Sequence, residues 1–187
     1  MKMDLRIRYT KEMIQKNFLL LLEEKEIGKI TVKAVCDRAE INRGTFYKYY
    51  ADCYALMDGI EEEVLARFAQ ELTADAEHPE TPERTILRVL QDNRELFDAL
   101  SRNHREEAFV QRMTLCYFEH RQMRKEAPAH DALISPSAFD TFASGGCGSI
   151  LAAWLRDGMT ESPESLVAAM RRMTDAMRRG IAENSAK

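Results

Sequence analysis

The sequence predicts an all-α fold with a small N-terminal head and a larger helical body. Apolar residues recur at helical spacing through nearly all of the 187 residues, and the alternating pattern of half-buried strands is nearly absent. The stretch EHPETP at residues 77–82 interrupts the helical pattern with two prolines. We therefore expect a helix-turn-helix head at residues 1–55, a body at residues 56–187, and a long helix at about residues 52–76 that links them.

The head is predicted to contain three helices, because capping residues adjoin each apolar stripe. Thr10 is a candidate N-cap for the first helix, which is expected to end near Gly28. Thr31 precedes a second helix, whose apolar residues fall at i, i+3, i+4 and i+7. Asn42 precedes a third helix that is expected to reach about Tyr50. Two short helices joined by a tight turn have the layout of a helix-turn-helix.

The body is predicted to be helical, starting with the long helix that Asp52 caps. A further helical pattern follows the prolines and is expected to divide near Asn93. The last two helices are joined by GMTESP, in which Gly158 is a candidate helix stop, Ser162 a cap and Pro163 the first helical residue. These start and stop signals predict a bundle of long helices with short connections.

Charge is divided unequally between the two predicted parts. The chain has a net charge of −4, but residues 1–50 contain eleven basic and seven acidic side chains. Residues 51–187 contain sixteen basic and twenty-four acidic side chains. A basic head on an acidic body favours a polyanion as the partner of the head.

The cellular location is predicted from what the sequence lacks. No apolar run is long enough to span a membrane, and the N-terminus has no signal-peptide pattern. The four cysteines are far apart without a C-x-x-C pair, so they favour a reducing compartment over a disulfide framework or a zinc site. We therefore expect a cytoplasmic protein that binds no membrane, metal or cofactor.

The third predicted helix separates its apolar and polar side chains between two faces. With a rotation of about 100° per residue, Phe46 and Tyr50 share one face, where they can pack on the first two helices. The opposite face, which we call the recognition strip, consists of Arg43, Gly44, Tyr47 and Lys48. Cationic side chains can donate to guanine edges or phosphates, tyrosine can donate to phosphate, and glycine permits close approach. The strip predicts binding in a DNA major groove; a helical hairpin with a solvated polar face is the alternative.

The segment TVKAVCDRAEINRGTFYKYYADCYAL, residues 31–56, resembles the DNA-binding signature of the TetR family of bacterial transcriptional regulators. A second segment, GSILAAWLRDGMTESPESLV, is similar to the paired C-terminal helices of that family. The resemblance implies an all-helical homodimer with a DNA-binding head and a body that dimerises and often holds an effector. Two equal heads are expected to bind a palindromic operator in double-stranded DNA.

The resemblance also implies roles for individual residues. Base contacts are expected at Lys33, Arg43, Gly44, Thr45 and Lys48. Phosphate contacts are expected at Thr31, Tyr47 and Tyr49. Asn42 is the remaining member of the predicted DNA-binding set. Two positions depart from the family pattern. Glu40 stands where glycine is usual in the turn, so it must accept an unusual backbone angle or a different turn. Cys53 stands where a basic residue commonly contacts a phosphate, so one phosphate contact is expected to be missing.

The last two helices are predicted to form the dimer interface. Three glycines lie in the first of them, and each costs about 1 kcal/mol relative to alanine inside a helix. Close approach of another helix would explain them, and a kink or a break is the alternative. The glycines are Gly145, Gly146 and Gly148, and the apolar stripe of the last helix is Leu166, Met170, Met173, Met177 and Ile181. Two such helices from each subunit make a four-helix interface.

An effector pocket is expected among the middle helices. Its candidate lining residues are Phe97, Phe109, Met113, Tyr117, Phe142 and Trp154, with His104 or His120 as polar groups. The alternative is that these side chains only fill the core. No cofactor motif or dominant charge identifies a ligand.

The leading functional prediction is a dimeric DNA-binding repressor that a small-molecule effector releases. The alternative is a TetR-like regulator or activator whose effector is a partner protein. A cavity of roughly 300 Å³ or more in the body favours the small molecule, and a filled body favours the protein. An enzyme is not expected, because the sequence has no H-E-x-x-H, no phosphate-binding glycine loop and no Ser, Cys or His with an evident local partner.

Overall fold

The computed structural model describes residues 2–74, 82–123 and 136–184, which contain nine α-helices, one short 3₁₀ turn and no strand. The head contains α1 (Lys2–Glu24), the 3₁₀ turn (Ile27–Lys29), α2 (Val32–Arg38) and α3 (Arg43–Tyr47). The remaining helices are α4 (Cys53–Ala74), α5 (Pro82–Asp92), α6 (Arg94–Arg102), α7 (Glu106–Met123), α8 (Pro136–Arg156) and α9 (Pro163–Asn184). The all-α prediction is therefore confirmed.

Side-chain caps start the helices that surround the recognition strip. Thr31, Asn42 and Asp52 each accept a hydrogen bond from the backbone N–H three residues later, at 3.1, 2.7 and 2.8 Å. Each bond satisfies a donor that has no partner within the first turn of its helix. The predicted starts of α2, α3 and α4 are thus confirmed, and they hold the helix-turn-helix in shape through local chemistry.

Three of the predicted helix ends in the head were wrong. Helix α1 already begins at Lys2, and Thr10 lies inside it, where its hydroxyl donates to the Arg6 carbonyl at 2.8 Å. A threonine can make this bond in mid-helix, so it does not mark a start. Helix α1 also ends at Glu24, and Gly28 belongs to the 3₁₀ turn. Helix α3 ends at Tyr47, so it is shorter than predicted.

The two aromatic side chains that were predicted to face inward do so. Phe46 is fully buried and Tyr50 is 6% exposed, and both belong to a continuous apolar core with Phe18 of α1 and Val35 of α2. A buried side chain of this size stabilises a fold by about 2–3 kcal/mol. This packing fixes the inner face of α3 and leaves its other face free.

The body is built on the long helix α4, whose buried face continues the head core into the body core. Helices α7 and α8 pack along each other, and α4 packs on both α5 and α7. The break between α5 and α6 falls at Asn93, as predicted. In the α8–α9 connection, Gly158 has φ +78°, Ser162 accepts from a backbone N–H at 3.2 Å, and Pro163 opens α9. These signals are confirmed, and α8 runs through its three glycines as one helix.

Head and body also meet at a second place, the α6–α7 turn at residues 103–105. The Asn103 side-chain oxygen accepts a hydrogen bond from the Ile27 N–H of the head at 2.7 Å. Arg102, beside it, donates to the Leu22 carbonyl at 3.3 Å. The head is therefore held by α4 and by this turn, which we call the head–body joint.

Candidate nucleic-acid interface

The recognition strip lies on the outer face of α3, directly above buried Phe46. Arg43, Gly44 and Lys48 are exposed, and Tyr47 is 56% exposed. The Tyr47 ring meets the Phe46 ring edge to face, with centroids 5.7 Å apart. Two cations and a phenol are thus presented together on a rigid base.

The start of α3 shows why Gly44 follows the cap. The Asn42 side-chain oxygen accepts from both the backbone N–H and the hydroxyl of Thr45, at 2.7 and 3.0 Å. A Cβ placed on Gly44 would lie 3.3 Å from that oxygen, so a larger residue would crowd the cap. The Thr45 hydroxyl thus has an internal partner, and the DNA contacts of Asn42, Thr45 and the strip stay predictions.

Helix α2 contributes the other predicted contacts on this side of the head. Thr31 is exposed at its start, and Lys33 is exposed but forms an ion pair with Asp37 at 2.7 Å. An exposed pair of this kind contributes about 0–1 kcal/mol. Lys33 can therefore exchange Asp37 for a phosphate or a base at little cost, and its base contact stays a prediction.

Tyr49 and Tyr50 differ in their surroundings although they are neighbours. Tyr49 is half-buried against the head core, with its ring centroid 6.4 Å from that of Tyr50. The Tyr50 hydroxyl accepts from the Gln15 amide at 3.2 Å, and burial raises the pKa of this phenol. Tyr50 is therefore structural, whereas the predicted phosphate contact of Tyr49 stays a prediction.

The turn between α2 and α3 has the unusual backbone angle that Glu40 was expected to accept. Glu40 has φ +54°, and the next N–H, of Ile41, donates to the Cys36 carbonyl at 3.0 Å. This is a Schellman-type helix end, which normally has glycine at the left-handed position. A side chain there costs roughly 1–2 kcal/mol, so the head maintains strain at its turn.

Cys53 cannot supply the phosphate contact that a basic residue would make. It is the first residue of α4 but only 6% exposed, and burial raises the pKa of its thiol to about 11. The thiol is therefore neutral at physiological pH and faces the core. A phosphate contact from this side chain is therefore not expected.

The predicted pocket residues do not come together around one cavity. Met113 and Tyr117 line an apolar cavity of about 40 Å³ between α4, α5, α7, α8 and α9. Phe97 and Phe109 pack against each other in the core, with centroids 5.7 Å apart, and neither lines it.

The other four pocket candidates are scattered. His104 is exposed in the head–body joint with φ +55°, His120 is half-buried on α7, and Phe142 is 70% exposed on α8. The Trp154 indole donates to the Glu161 carbonyl at 3.0 Å, so it holds the α8–α9 connection. Of the eight predicted pocket residues, only Met113 and Tyr117 line this cavity. An effector-binding role for the eight stays a prediction.

An exposed apolar groove lies between α8 and α9, with a volume of about 140 Å³. Its edges are Phe142 and Met173, which is 55% exposed, and Gly146 lies in its floor. Met170 and Met177 of the predicted stripe also line it, whereas Leu166 and Ile181 pack partly on the core. The stripe thus faces both the core and the outside.

The three glycines of α8 do not share one role. No atom lies within 4 Å of a Cβ placed on Gly145 or Gly146, so this surface is open to another molecule. Gly148 is buried, and a Cβ there would lie 2.7 Å from the Gln111 amide of α7. Gly148 therefore serves the packing of α7 on α8 within the chain, which corrects its expected place on the dimer surface.

Residues of the head–body joint were missed by sequence reasoning. Arg105 donates to Glu61 of α4 at 2.8 Å and pairs with Asp58, and these groups are 44 and 47 positions apart. Asn103 and Ile27 are 76 positions apart. No local pattern marks contacts of this separation, so the sequence offers no signal for them.

Two other classes of site were sought in the part of the chain that the structure describes. No cluster of three or more His, Cys, Asp or Glu side chains is placed to hold a metal ion there. Among the same residues, every helix is too short or too polar to cross a membrane.

Comparison with known proteins places this architecture in a family. A family model described as the C-terminal region of transcriptional regulators, of the TetR type, matches residues 77–176, which is more than half of the chain. An uncharacterized HTH-type transcriptional regulator of Bacillus subtilis, YxbF, is 22% identical over 163 residues, which are 82% of this chain and 41% of that protein. The chain therefore spans less than half the length of this curated relative.

Solved structures share the fold. A TetR transcriptional regulator from Streptococcus agalactiae is 22% identical, with a TM-score of 0.66 and coverage of 93% of this chain and 98% of that one. A TetR-family regulator from Syntrophomonas wolfei has a TM-score of 0.73 at 14% identity, with coverage of 93% and 97%. The dihydroxyacetone kinase operon activator DhaS has a TM-score of 0.70 at 18% identity, with coverage of 92% and 97%.

The matched C-terminal region and the capped helix-turn-helix lead to the same conclusion: the chain belongs to the TetR family of transcriptional regulators.

Proposed function

We propose that this regulator binds a palindromic DNA operator as a homodimer, in the cytoplasm, and acts by binding rather than by catalysis. The observation that carries the proposal is the recognition strip, an exposed set of Arg43, Gly44, Tyr47 and Lys48 above buried Phe46. A rigid helix with cationic donors on its outer face can enter a major groove and contact base edges. Family membership alone would not assign this role to particular residues.

The α8–α9 groove supports the homodimer. Phe142 and Met173 are large apolar side chains that are more than half exposed, and Gly145 and Gly146 leave room beside them. A second copy with the same groove would cover this surface by twofold symmetry. Dimerisation at the body would hold two heads at a fixed separation, which a palindromic operator requires.

The volume of the body cavity indicates which class of effector, small molecule or protein, the body can accept. The interior cavity of about 40 Å³ is much smaller than the roughly 300 Å³ that a typical ligand site has. Its Thr114 and Thr174 hydroxyls are bonded to backbone carbonyls, so they offer no free donor to a ligand. Among the described residues, this apolar cavity is too small for a typical ligand, which favours a partner protein as effector over the small molecule that was the leading expectation.

Two readings of regulation follow. As a repressor, the dimer would leave DNA when its effector binds; as an activator, it would need its partner on DNA. The structurally similar protein DhaS is an operon activator, which supports considering activation alongside repression. Fold similarity at 18% identity does not choose between them.

In vitro selection from a random duplex library tests the proposal. The expected result is an inverted repeat whose half-sites are about one helical turn or somewhat more apart, roughly 34 Å or greater. Recovery of only single-stranded or non-palindromic sequences would contradict it. Reporter transcription from the selected operator, with and without the regulator, then distinguishes repression from activation.

A further inference from the structure

The buried thiol of Cys53 leaves the start of α4 without the family's basic side chain, and Tyr54 takes the exposed place beside it. Cys53 is 6% exposed, whereas Tyr54 is 50% exposed. Tyrosine carries a polar hydroxyl on an apolar ring, so the exposed Tyr54 presents a donor at the surface of the head.

The Tyr54 hydroxyl lies next to the 3₁₀ turn that precedes α2. A Cβ placed on Gly28 would be 3.6 Å from this oxygen, so the ring extends from the start of α4 to the approach to α2. Gly28 is three residues before Thr31, a distance of about 10 Å at most along the chain. The phenol therefore lies in the neighbourhood of Thr31, which is expected to contact a phosphate.

This hydroxyl has no hydrogen-bond partner among the described residues. The neighbouring Tyr50 hydroxyl, by contrast, accepts from Gln15 inside the chain. Lys29, which is also exposed at this turn, forms a weak exposed ion pair with Glu26 at 3.3 Å. Tyr54 is thus a free donor beside a turn that carries one exposed, weakly paired lysine.

We propose that Tyr54 donates a hydrogen bond to a DNA phosphate beside the one that Thr31 contacts, and that it replaces the basic contact missing at Cys53. Tyrosine is a common donor to phosphate oxygens, and such bonds position the protein on the duplex without selecting a sequence. Because a phenol is neutral, this contact adds affinity without displacing a counterion. The inference rests on the proposed DNA-binding function and identifies a further residue of that same interface.

Removing the hydroxyl is the first test. The full chain and Tyr54→Phe are titrated against the selected operator and against a random-sequence duplex of equal length. The expected loss is roughly 10-fold for both duplexes, since the lost bond has a charged acceptor, with an unchanged salt dependence. Tyr9→Phe, which removes a hydroxyl from another exposed tyrosine on α1, is the control and should bind like the parent chain. Equal affinity of Tyr54→Phe and the parent overturns the inference.

Adding a charge at the same place is the second test. Tyr54→Lys should steepen the slope of log affinity against log salt by about 0.9 for each phosphate contacted, and Tyr9→Lys should leave it unchanged. An unchanged slope in Tyr54→Lys also overturns the inference. If the parent chain binds neither duplex, the proposed function itself fails; if it binds and the Tyr54 variants behave as the parent, only this inference fails. Thermal unfolding of each variant confirms that the head is folded.

Discussion

Head and body are both helical, but different forces shape them. The helices α2 and α3 of the head are short, begin at side-chain caps and place polar side chains on an outer face, as Asn42 and Tyr47 illustrate. The helices of the body enclose their apolar side chains, as Phe97 and Phe109 do. The head therefore takes its properties from residues that are close in sequence, and the body from residues that are far apart.

Their cations differ in the same way. Arg43 and Lys48 of the head have no carboxylate partner among the described residues, so they are available to an anion. In the body, Arg105 of the α6–α7 turn and Arg112 of α7 pair with Glu61, which is 4% exposed on α4. The two cations of the recognition strip are thus available to a ligand, whereas Arg105 and Arg112 hold their segment against α4.

The largest expected effect on operator affinity comes from a substitution in the α8–α9 groove, the proposed dimer surface. Met173→Glu places a charge in the α8–α9 groove, so it should give monomers with unchanged helical content. Operator affinity should fall by about 100-fold or more, because the two heads then bind independently. Sedimentation and a DNA-binding titration measure both. Ala168→Glu, on the opposite face of α9, is the control; a Met173→Glu protein that remains dimeric and binds operator would place the interface elsewhere.

Substitutions in the recognition strip separate base contacts from phosphate contacts. Arg43→Ala or Lys48→Ala should cost about 1–3 kcal/mol of binding and relax sequence preference at one position. Tyr47→Phe should weaken binding to all sequences alike, because only a phosphate donor is lost. Titration against single-base variants of the operator makes the distinction. Equal, sequence-independent losses in all three variants would show that none of them contacts a base.

The head–body joint provides a test of how firmly the two parts are coupled. Asn103→Ala leaves the Ile27 N–H without its acceptor and should lower the free energy of unfolding by about 1–3 kcal/mol. Asn17→Ala is the matched control, since Asn17 bonds only to the Met13 carbonyl within α1. Denaturant unfolding measures stability, and amide exchange at Ile27 should accelerate only in Asn103→Ala. Equal effects of the two substitutions would contradict a role for this bond in holding the head.

The smallest expected effect is a gain in the stability of the head. Glu40→Gly removes the strain of a side chain at φ +54°, and after the loss of backbone entropy it should raise the free energy of unfolding by up to about 1 kcal/mol. Glu40→Ala keeps a Cβ at the same angle and should bring no such gain. Thermal and denaturant unfolding compare the three proteins. A destabilised Glu40→Gly would mean that the carboxylate contributes more than the strained angle costs.

Much of the head could be predicted because its signals are local. The caps at Thr31, Asn42 and Asp52 act on an N–H three residues away, and the faces of α3 follow from helical rotation. The strained turn at Glu40 was recognisable because glycine is usual there. The start of α1 was missed because a threonine inside a helix resembles one that caps it, and only the continuing turns before Thr10 distinguish the two.

The candidate pocket could not be predicted in the same way. Helical spacing showed that Met113, Tyr117, Phe97 and Phe109 are apolar positions, but not which of them pack on one another and which line a space. Cavity volume depends on how side chains from five helices fill the interior, and a difference of one methylene group changes it. The sequence therefore predicted a small-molecule effector first and a partner protein as the alternative, without the cavity volume that bears on the choice.

The sequence by itself determined the all-α class, the helix-turn-helix, the recognition strip and the basic charge of the head, because each depends on spacing of a few residues. Tertiary structure alone decided that Gly148 faces Gln111, that Cys53 is buried while Tyr54 is exposed, and that Asn103 holds Ile27. These outcomes depend on the relative placement of whole helices, which packing settles over the entire core. Local chemistry thus specifies the strip through which we propose that this protein binds DNA, and long-range packing specifies the cavity and the surfaces of its body.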